Sequence, residues 1–113
     1  NENYIEDSSK SLTKRIILVR SLLKIAADEY AVGIVNGEVK NKFEYQDALG
    51  FTIVAKNILK NTTTQSKEEE IKKNKVLKII ENLSDLWPSL VPTGIVDGDA
   101  KIILDAVTKI NLV

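Results

Sequence analysis

The chain has 113 residues, 16 basic and 16 acidic side chains, and no His, Cys or Met. The absence of Cys and His excludes disulfides, thiolate or imidazole metal ligands, and nucleophiles that depend on a Cys or a Ser-His pair. A net charge of zero gives no electrostatic reason to expect a nucleic acid partner.

The length predicts one domain over residues 1–113, with a flexible segment at residues 1–8. The chain begins with Asn1 rather than Met. We interpret this start as the removal of a signal peptide or as a cut from a longer protein. Lys, Arg, Asp or Glu interrupts every apolar stretch, so no run approaches the roughly 18 residues of a membrane span.

The first predicted helix runs from about residue 9 to residue 36. Its apolar residues recur at alternating four- and three-residue steps, which places them on one face. They are Leu12, Ile16, Val19, Leu23, Ala26 and Tyr30. Asn36 and Gly37 are expected to end the helix, because Gly readily adopts the left-handed conformation that is common at a helix C-terminus.

The next two predicted helices are recognised by their ends. The second runs from about residue 43 to residue 61 and stops at three consecutive threonines. Ser66 is the expected N-cap of the third, and Glu69 three residues later completes a capping box. This helix is expected to reach Trp87, because Pro88 disfavours helical backbone at the residue before it.

A loop rich in Pro and Gly separates the third predicted helix from the fourth. Its marker residues are Pro92, Gly94 and Gly98. Asp97 or Asp99 is expected to cap the fourth helix, which ends near residue 111. No segment alternates with a period of two for long enough to predict a strand. Four helices with mostly short connections predict an all-α protein, an antiparallel up-down-up-down four-helix bundle.

A helical wheel identifies carboxylates within the apolar faces of the first two helices. Glu29 falls between Leu18 and Leu22 on the first helix. Glu44 projects onto the centre of the second apolar face, and Asp47 lies near its edge. The faces expected to be buried comprise Leu18, Val19, Leu22, Leu23, Ile25 and Ala26 on the first helix and Ala48, Phe51, Val54, Ala55, Ile58 and Leu59 on the second. Because an unpaired buried carboxylate costs several kcal/mol, each should be paired, protonated or bound to a metal.

These acids also have an interpretation that needs no ligand. Glu44 lies in the first turn of its helix, where the helix dipole favours an acid, and Glu29 would be an edge residue that reaches solvent. Tyr30 and Tyr45 would be core aromatics with their hydroxyls at the rim. On this alternative, the protein is a structural or partner-binding helical bundle with no metal.

The same hairpin carries two acid-tyrosine pairs, one on each side of a glycine turn. In chain order the pattern comprises Asp28-Glu29-Tyr30-Ala31-Val32, Asn36-Gly37-Glu38-Val39 and Glu44-Tyr45-Gln46. It resembles the helical hairpin of exported domains that are attached to the high-affinity iron permease family of bacteria. The resemblance covers about residues 20 to 55.

The resemblance implies a non-catalytic helical bundle, periplasmic or otherwise exported, that takes part in iron uptake. Its metal residues would be Glu29, Tyr30, Glu44 and Tyr45, with Asp28 and Asp47 supporting them. Carboxylate and phenolate oxygens suit iron or another hard cation. The implied partner is a membrane permease or another uptake component. The chain lacks membrane helices and a Cys-x-x-Cys-His haem motif, so neither transport itself nor haem chemistry is expected of it.

The spacing of the hairpin predicts how its acids face one another. If the helices end at Asn36 and begin at Lys42, Glu29 is level with Leu49 and about 7–8 Å along the axis from Glu44. The two side chains would also lean apart. We therefore expect a water-mediated site or two separate acid-tyrosine pairs rather than one ion bridged by both acids. With no His and no Ser-Lys motif, an enzyme is not expected.

Overall fold

The computed structural model describes residues 11–88 and 98–113. Within these ranges the chain forms four α-helices: α1 (Ser11–Gly33), α2 (Lys42–Lys60), α3 (Lys67–Glu81) and α4 (Ala100–Leu112). Two short strands, β1 (Ile34–Val35) and β2 (Glu38–Val39), join α1 to α2, and a 3-10 turn, Asn82–Leu86, follows α3. The predicted all-α four-helix bundle is therefore confirmed.

Some predicted features lie outside the described residues. These are the flexible segment at residues 1–8, the loop residues Pro92 and Gly94, and the alternative cap Asp97. Asp99, the other predicted cap, lies within them, and its carboxylate accepts a hydrogen bond of 2.8 Å from the backbone N–H of Lys101. The N-terminus of α4 is thus satisfied by the side chain that directly precedes it.

The connection between α1 and α2 differs from its prediction. The helix ends at Gly33 rather than at residue 36, and the next residues form an antiparallel hairpin in which Ile34 pairs with Val39. Asn36 and Gly37 have φ values of 54° and 78°. Positive φ at both central residues is what a two-residue hairpin turn of type I′ requires, and Asn-Gly is its preferred sequence. The expectation of no strand is therefore wrong here, because the Asn-Gly pair turns a hairpin instead of capping a helix.

The other helix starts follow their sequence signals. Asn41 caps α2, since its side-chain oxygen accepts hydrogen bonds from the backbone N–H groups of Phe43 and Glu44, at 3.1 and 3.2 Å. Ser66 caps α3 as predicted, because its hydroxyl accepts from the backbone N–H of Glu69 at 3.1 Å. Both helices therefore begin within one residue of their expected positions. At each start, a side-chain oxygen accepts the hydrogen bonds of first-turn N–H groups that have no carbonyl partner within the helix.

The face of α1 that packs in the core is the one predicted from its three- and four-residue steps. Leu12, Ile16, Val19, Leu23, Ala26 and Tyr30 are all buried. The broader wheel arcs are wrong at their edges, where Leu18 and Ile25 are 41% exposed and Val54 is 48% exposed. Both helices carry a second apolar stripe beside the buried one, and a wheel merges neighbouring stripes into a single arc.

Contacts between the helices show how neighbouring elements run. The ammonium of Lys56 in α2 lies 3.6 Å from the Glu81 carboxylate at the end of α3. About one turn further toward the C-terminus of α2, Lys73, which comes earlier in α3, donates hydrogen bonds to the backbone carbonyls of Lys60 and Thr62. These pairings are those of antiparallel helices. Together with the α1–α2 hairpin, they make each of the first three helices antiparallel to its neighbour in the chain, and the up-down-up-down order of the whole bundle stays a prediction.

Candidate metal centre

Three carboxylates from two helices meet beside the α1–α2 hairpin. Glu29 comes from α1, and Glu44 and Asp47 come from α2. Each offers one oxygen atom, and these oxygens all lie within 4.8 Å of one another. Glu29 and Glu44 are half-buried, whereas Asp47 is exposed. We call these three side chains the carboxylate cluster.

Gly33 explains why the two helices approach so closely here. A Cβ at this position would lie 2.7 Å from the backbone nitrogen of Tyr45 and 3.0 Å from the carbonyl oxygen of Asn41. The Gly33 carbonyl also accepts hydrogen bonds from the backbone N–H groups of Lys40 and Asn41. Glu29 lies one turn before Gly33 on the same face of α1. The close backbone contact therefore brings Glu29 beside the first turns of α2.

The register of the hairpin corrects the expected spacing of its acids. Because α1 ends at Gly33 and α2 begins at Lys42, opposite residues have numbers that sum to about 75 rather than 78. Glu29 is then level with residue 46, between Glu44 and Asp47. The expectation that Glu29 and Glu44 are too far apart along the axis to share one ion is therefore wrong. Its error came from treating residues 34–36 as helix.

The two tyrosines lie in the core rather than on the rim. Tyr30 and Tyr45 are both fully buried, and their ring centroids are 5.7 Å apart. The Tyr30 hydroxyl donates a hydrogen bond of 2.9 Å to the carbonyl of Leu86. The Trp87 indole N–H donates one of 2.9 Å to the carbonyl of Tyr45, and its ring packs edge-on against Tyr30. That either tyrosine ligates a cation stays a prediction.

The neighbouring aspartates have different positions. Asp28 is exposed and does not belong to the carboxylate cluster, whereas Asp47, predicted to support the site, contributes one of its three oxygens. The sequence signal for Asp47 was its spacing of three residues from Glu44, which places both on one face of α2. The wheel placed Asp47 near the edge of that face.

The cluster concentrates negative charge. Within residues 11–88 and 98–113, the ion pairs are Lys40 with Glu38 and Lys56 with Glu81, and none involves the three clustered carboxylates. Like charges at this separation repel, and the repulsion is stronger at half-buried positions, where water screens it less. A bound cation would remove that repulsion. The arrangement therefore favours the binding of a cation or of a positively charged group.

Comparison with known protein families identifies the domain. Residues 6–112 match the iron permease-associated 4-helix bundle domain. The chain belongs to this family. The match spans far more of the chain than the hairpin at residues 20–55, and it confirms the resemblance seen there. Searches among curated proteins and among solved structures gave no match.

Family membership connects this iron permease-associated domain with iron uptake. The carboxylate cluster offers oxygen atoms alone, which is the ligand type preferred by hard cations such as iron, manganese, magnesium and calcium. No helix among the described residues has the length and apolar character needed to cross a bilayer.

Proposed function

We propose that this iron permease-associated bundle is a non-catalytic, extracytoplasmic domain that binds iron or another hard cation at Glu29, Glu44 and Asp47. The observation that carries the proposal is the approach of three carboxylate oxygens, from two helices, to within 4.8 Å of one another. On this proposal the domain holds the cation beside a membrane permease, which is the uptake partner that the family description supports.

The packing of the hairpin supports a preformed site. Glu44 lies one residue from buried Tyr45, and Glu29 lies one residue from buried Tyr30. The backbones that carry both acids are therefore anchored in the core, while the acids themselves reach the rim. Oxygens that are already held together lose little conformational freedom on binding an ion. Water molecules would complete the coordination shell, because hard cations take six or more oxygen ligands.

The electrostatics support a cation in preference to an anion or a neutral ligand. Three carboxylates with no paired Lys or Arg among the described residues present a local charge of about −3 when ionised. A divalent or trivalent ion compensates that charge without a large rearrangement. The absence of His and Cys from the sequence leaves oxygen as the ligand type, which disfavours zinc and copper.

The test is thermal melting of the wild-type domain with Mn²⁺, with Ca²⁺, and with Fe²⁺ under anaerobic conditions. At a hundredfold excess over Kd, ligand binding adds about 2.7 kcal/mol to the free energy of unfolding. For a chain of this size, we expect an increase in Tm on the order of 10 °C. Glu44→Gln should abolish the increase, because it removes one charged ligand and keeps the shape of the side chain.

The matched control is Glu68→Gln. Glu68 is an exposed acid in the first turn of α3, so its neutralisation changes net charge by the same amount at a distant helix start. This variant should keep the full metal response. If no cation raises Tm, or if Glu44→Gln and Glu68→Gln respond to metal like the wild type, the carboxylate cluster is not the binding site.

A second candidate function is a bundle that acts through protein contacts alone. The aromatic cluster of Tyr30, Tyr45 and Trp87 favours it, because it supplies the tyrosines with packing and hydrogen bonds that need no ion. On this alternative, Glu44→Gln relieves repulsion and raises Tm equally with and without metal. The same melting series therefore separates the two functions.

A further inference from the structure

The α1–α2 hairpin carries a second apolar stripe beside the buried one, with three of its members half-buried against the core and three exposed. On α1 it comprises Leu18, Leu22 and Ile25, and on α2 it comprises Phe51, Val54 and Ile58. We call these six residues the outer stripe. Leu18 and Ile25 are 41% exposed, Val54 is 48% exposed, and the other three are half-buried. Both halves repeat at steps of three and four residues, which is the spacing of a helix-packing seam.

The two halves of the outer stripe lie side by side. The stripe on α1 continues to Glu29, and the stripe on α2 begins at Glu44 and Asp47, so the carboxylate cluster marks the point where they meet. Gly50 adds to the exposure of α2, because nothing lies within 4 Å of the position that a Cβ would take there. Single exposed apolar residues are ordinary on a protein surface, but a continuous seam on two adjacent helices indicates a contact surface.

Opposite charges stand at the two ends of this surface. The carboxylate cluster lies at the hairpin end, and exposed Arg15 continues the α1 stripe at the other end. Leu22 is midway, seven residues from Arg15 and seven from Glu29. The distance from Arg15 to Glu29 along the helix axis is about 21 Å. Because opposite charges lie at equal distances on either side of Leu22, a second copy turned end to end places its negative end against the positive end of the first, and the reverse.

We propose that a second copy of this chain docks antiparallel on the outer stripe, with its two-fold axis near Leu22. Each copy then places Arg15 against the carboxylate cluster of the other, and the apolar side chains between them pack together. This dimer does not depend on metal binding, because Arg15 supplies the positive charge that the cluster lacks among the described residues of its own chain. A guanidinium is suited to carboxylate groups, since its planar donors can bond to two oxygens at once.

The first experiment measures association by sedimentation velocity across a wide range of protein concentrations. The wild type is expected to pass from monomer to dimer as concentration rises. Leu18→Lys and Ile25→Lys should each keep the protein monomeric, and because both side chains are already 41% exposed, the monomer should stay folded. Ile71→Lys is the matched control, since Ile71 is 48% exposed but lies on α3. This variant should dimerise like the wild type.

The second experiment tests the antiparallel arrangement by exchange of charges. Arg15→Glu should weaken the dimer by about tenfold or more, because it places another acid against the carboxylate cluster at both ends. Glu29→Arg should weaken it less, because it places a base opposite Arg15 and lowers the charge of the cluster from about −3 to about −1 while Glu44 and Asp47 remain. The double variant Arg15→Glu with Glu29→Arg should bind more tightly than Arg15→Glu alone, since the acid at position 15 then has a base opposite it at position 29. Recovery requires that these two positions meet between copies.

The third experiment uses the absence of Cys from the sequence, which leaves no background disulfide. Leu22→Cys should form a disulfide-linked dimer on mild oxidation, because the two copies of this residue meet at the axis. Leu18→Cys and Ile25→Cys place their copies about 12 and 9 Å apart along the axis, too far for a disulfide. A monomer at every concentration, a dimer insensitive to Leu18→Lys, or a dimer lacking both charge recovery and the Leu22→Cys disulfide would overturn the proposal.

Discussion

The hydroxyl of Tyr30 donates a hydrogen bond of 2.9 Å to the backbone carbonyl of Leu86, which lies 56 residues further along the chain. The next residue, Trp87, donates in turn to the carbonyl of Tyr45. These two bonds join the first hairpin to the segment that follows α3. Each acid-tyrosine pair of the hairpin is therefore divided, with the tyrosine in the core and the acid at the rim. The tyrosines therefore contribute to the stability of the fold, and the acids are the groups available for the proposed cation binding.

Tyr30→Phe is expected to destabilise the fold and leave the metal response intact. The substitution keeps the ring and its packing against Trp87, but it leaves the buried carbonyl of Leu86 without its hydroxyl donor. Such a loss costs about 1–3 kcal/mol. Chemical denaturation should show the decrease in the free energy of unfolding, and the increase in Tm with Mn²⁺ should match that of the wild type.

Ser21→Ala serves as the control for Tyr30→Phe. The Ser21 hydroxyl also donates to a backbone carbonyl, that of Ile17, but the pair is exposed to water. Its removal should change stability by less than about 0.5 kcal/mol. If Tyr30→Phe removes the metal response while the protein stays folded, the Tyr30 hydroxyl takes part in ligation, as the resemblance implied.

Gly33→Ala is expected to disturb both stability and the carboxylate cluster. The new Cβ would lie 2.7 Å from the backbone nitrogen of Tyr45, and a backbone atom cannot turn aside as a flexible side chain can. The ends of α1 and α2 must therefore move apart, which separates Glu29 from Glu44. We expect a lower Tm and a weaker affinity for Mn²⁺ by titration calorimetry.

Gly50→Ala is the matched substitution on α2. Nothing lies within 4 Å of its would-be Cβ, and Ala is favoured over Gly within a helix by about 0.5–1 kcal/mol. This variant should be more stable than the wild type and should bind metal with unchanged affinity. Equal effects of Gly33→Ala and Gly50→Ala would show that close backbone contact at Gly33 does not control the site.

The hairpin shows which parts of the structure were accessible to sequence reasoning. The four helices, the cap residues Ser66 and Asp99, and the buried stripe of α1 follow from local signals that act within one or two turns. The same local reasoning identified Glu29 and Glu44 as unusual acids. Asn36-Gly37 fits a helix C-terminus through its Gly, but it is also the strongest short hairpin signal, and the two interpretations differ by about three residues in the register of the hairpin.

The parts that were missed depend on contacts between distant segments. The bonds from Tyr30 to Leu86 and from Trp87 to Tyr45 join residues 56 and 42 positions apart. The spacing of apolar residues within one helix does not indicate which distant segment that helix contacts. The exposure of Leu18, Ile25 and Val54 was missed for a related reason. A helical wheel shows that an apolar stripe exists, but the packing of other helices decides which of two stripes is buried.

Asn41→Ala is expected to weaken the start of α2 and with it the position of Glu44. The Asn41 side chain accepts hydrogen bonds from the N–H groups of Phe43 and Glu44. Loss of an N-cap costs about 1 kcal/mol. Hydrogen exchange at the first turn of α2 should become faster. Asn74→Ala, at an exposed site within α3, is the control and should leave exchange in α2 unchanged.

Cation binding and self-association are expected to oppose each other, because both use the carboxylate cluster. A cation at Glu29, Glu44 and Asp47 neutralises the charge that attracts Arg15 of a second copy, and Arg15 in that place repels an incoming cation. Addition of Mn²⁺ should therefore weaken the dimer in sedimentation velocity, while NaCl at matched ionic strength should weaken it less. The Arg15→Ala monomer should bind Mn²⁺ more tightly than the wild-type dimer. If Mn²⁺ instead strengthens association, the ion lies between two copies and the carboxylates ligate it jointly, which contradicts the competition expected here.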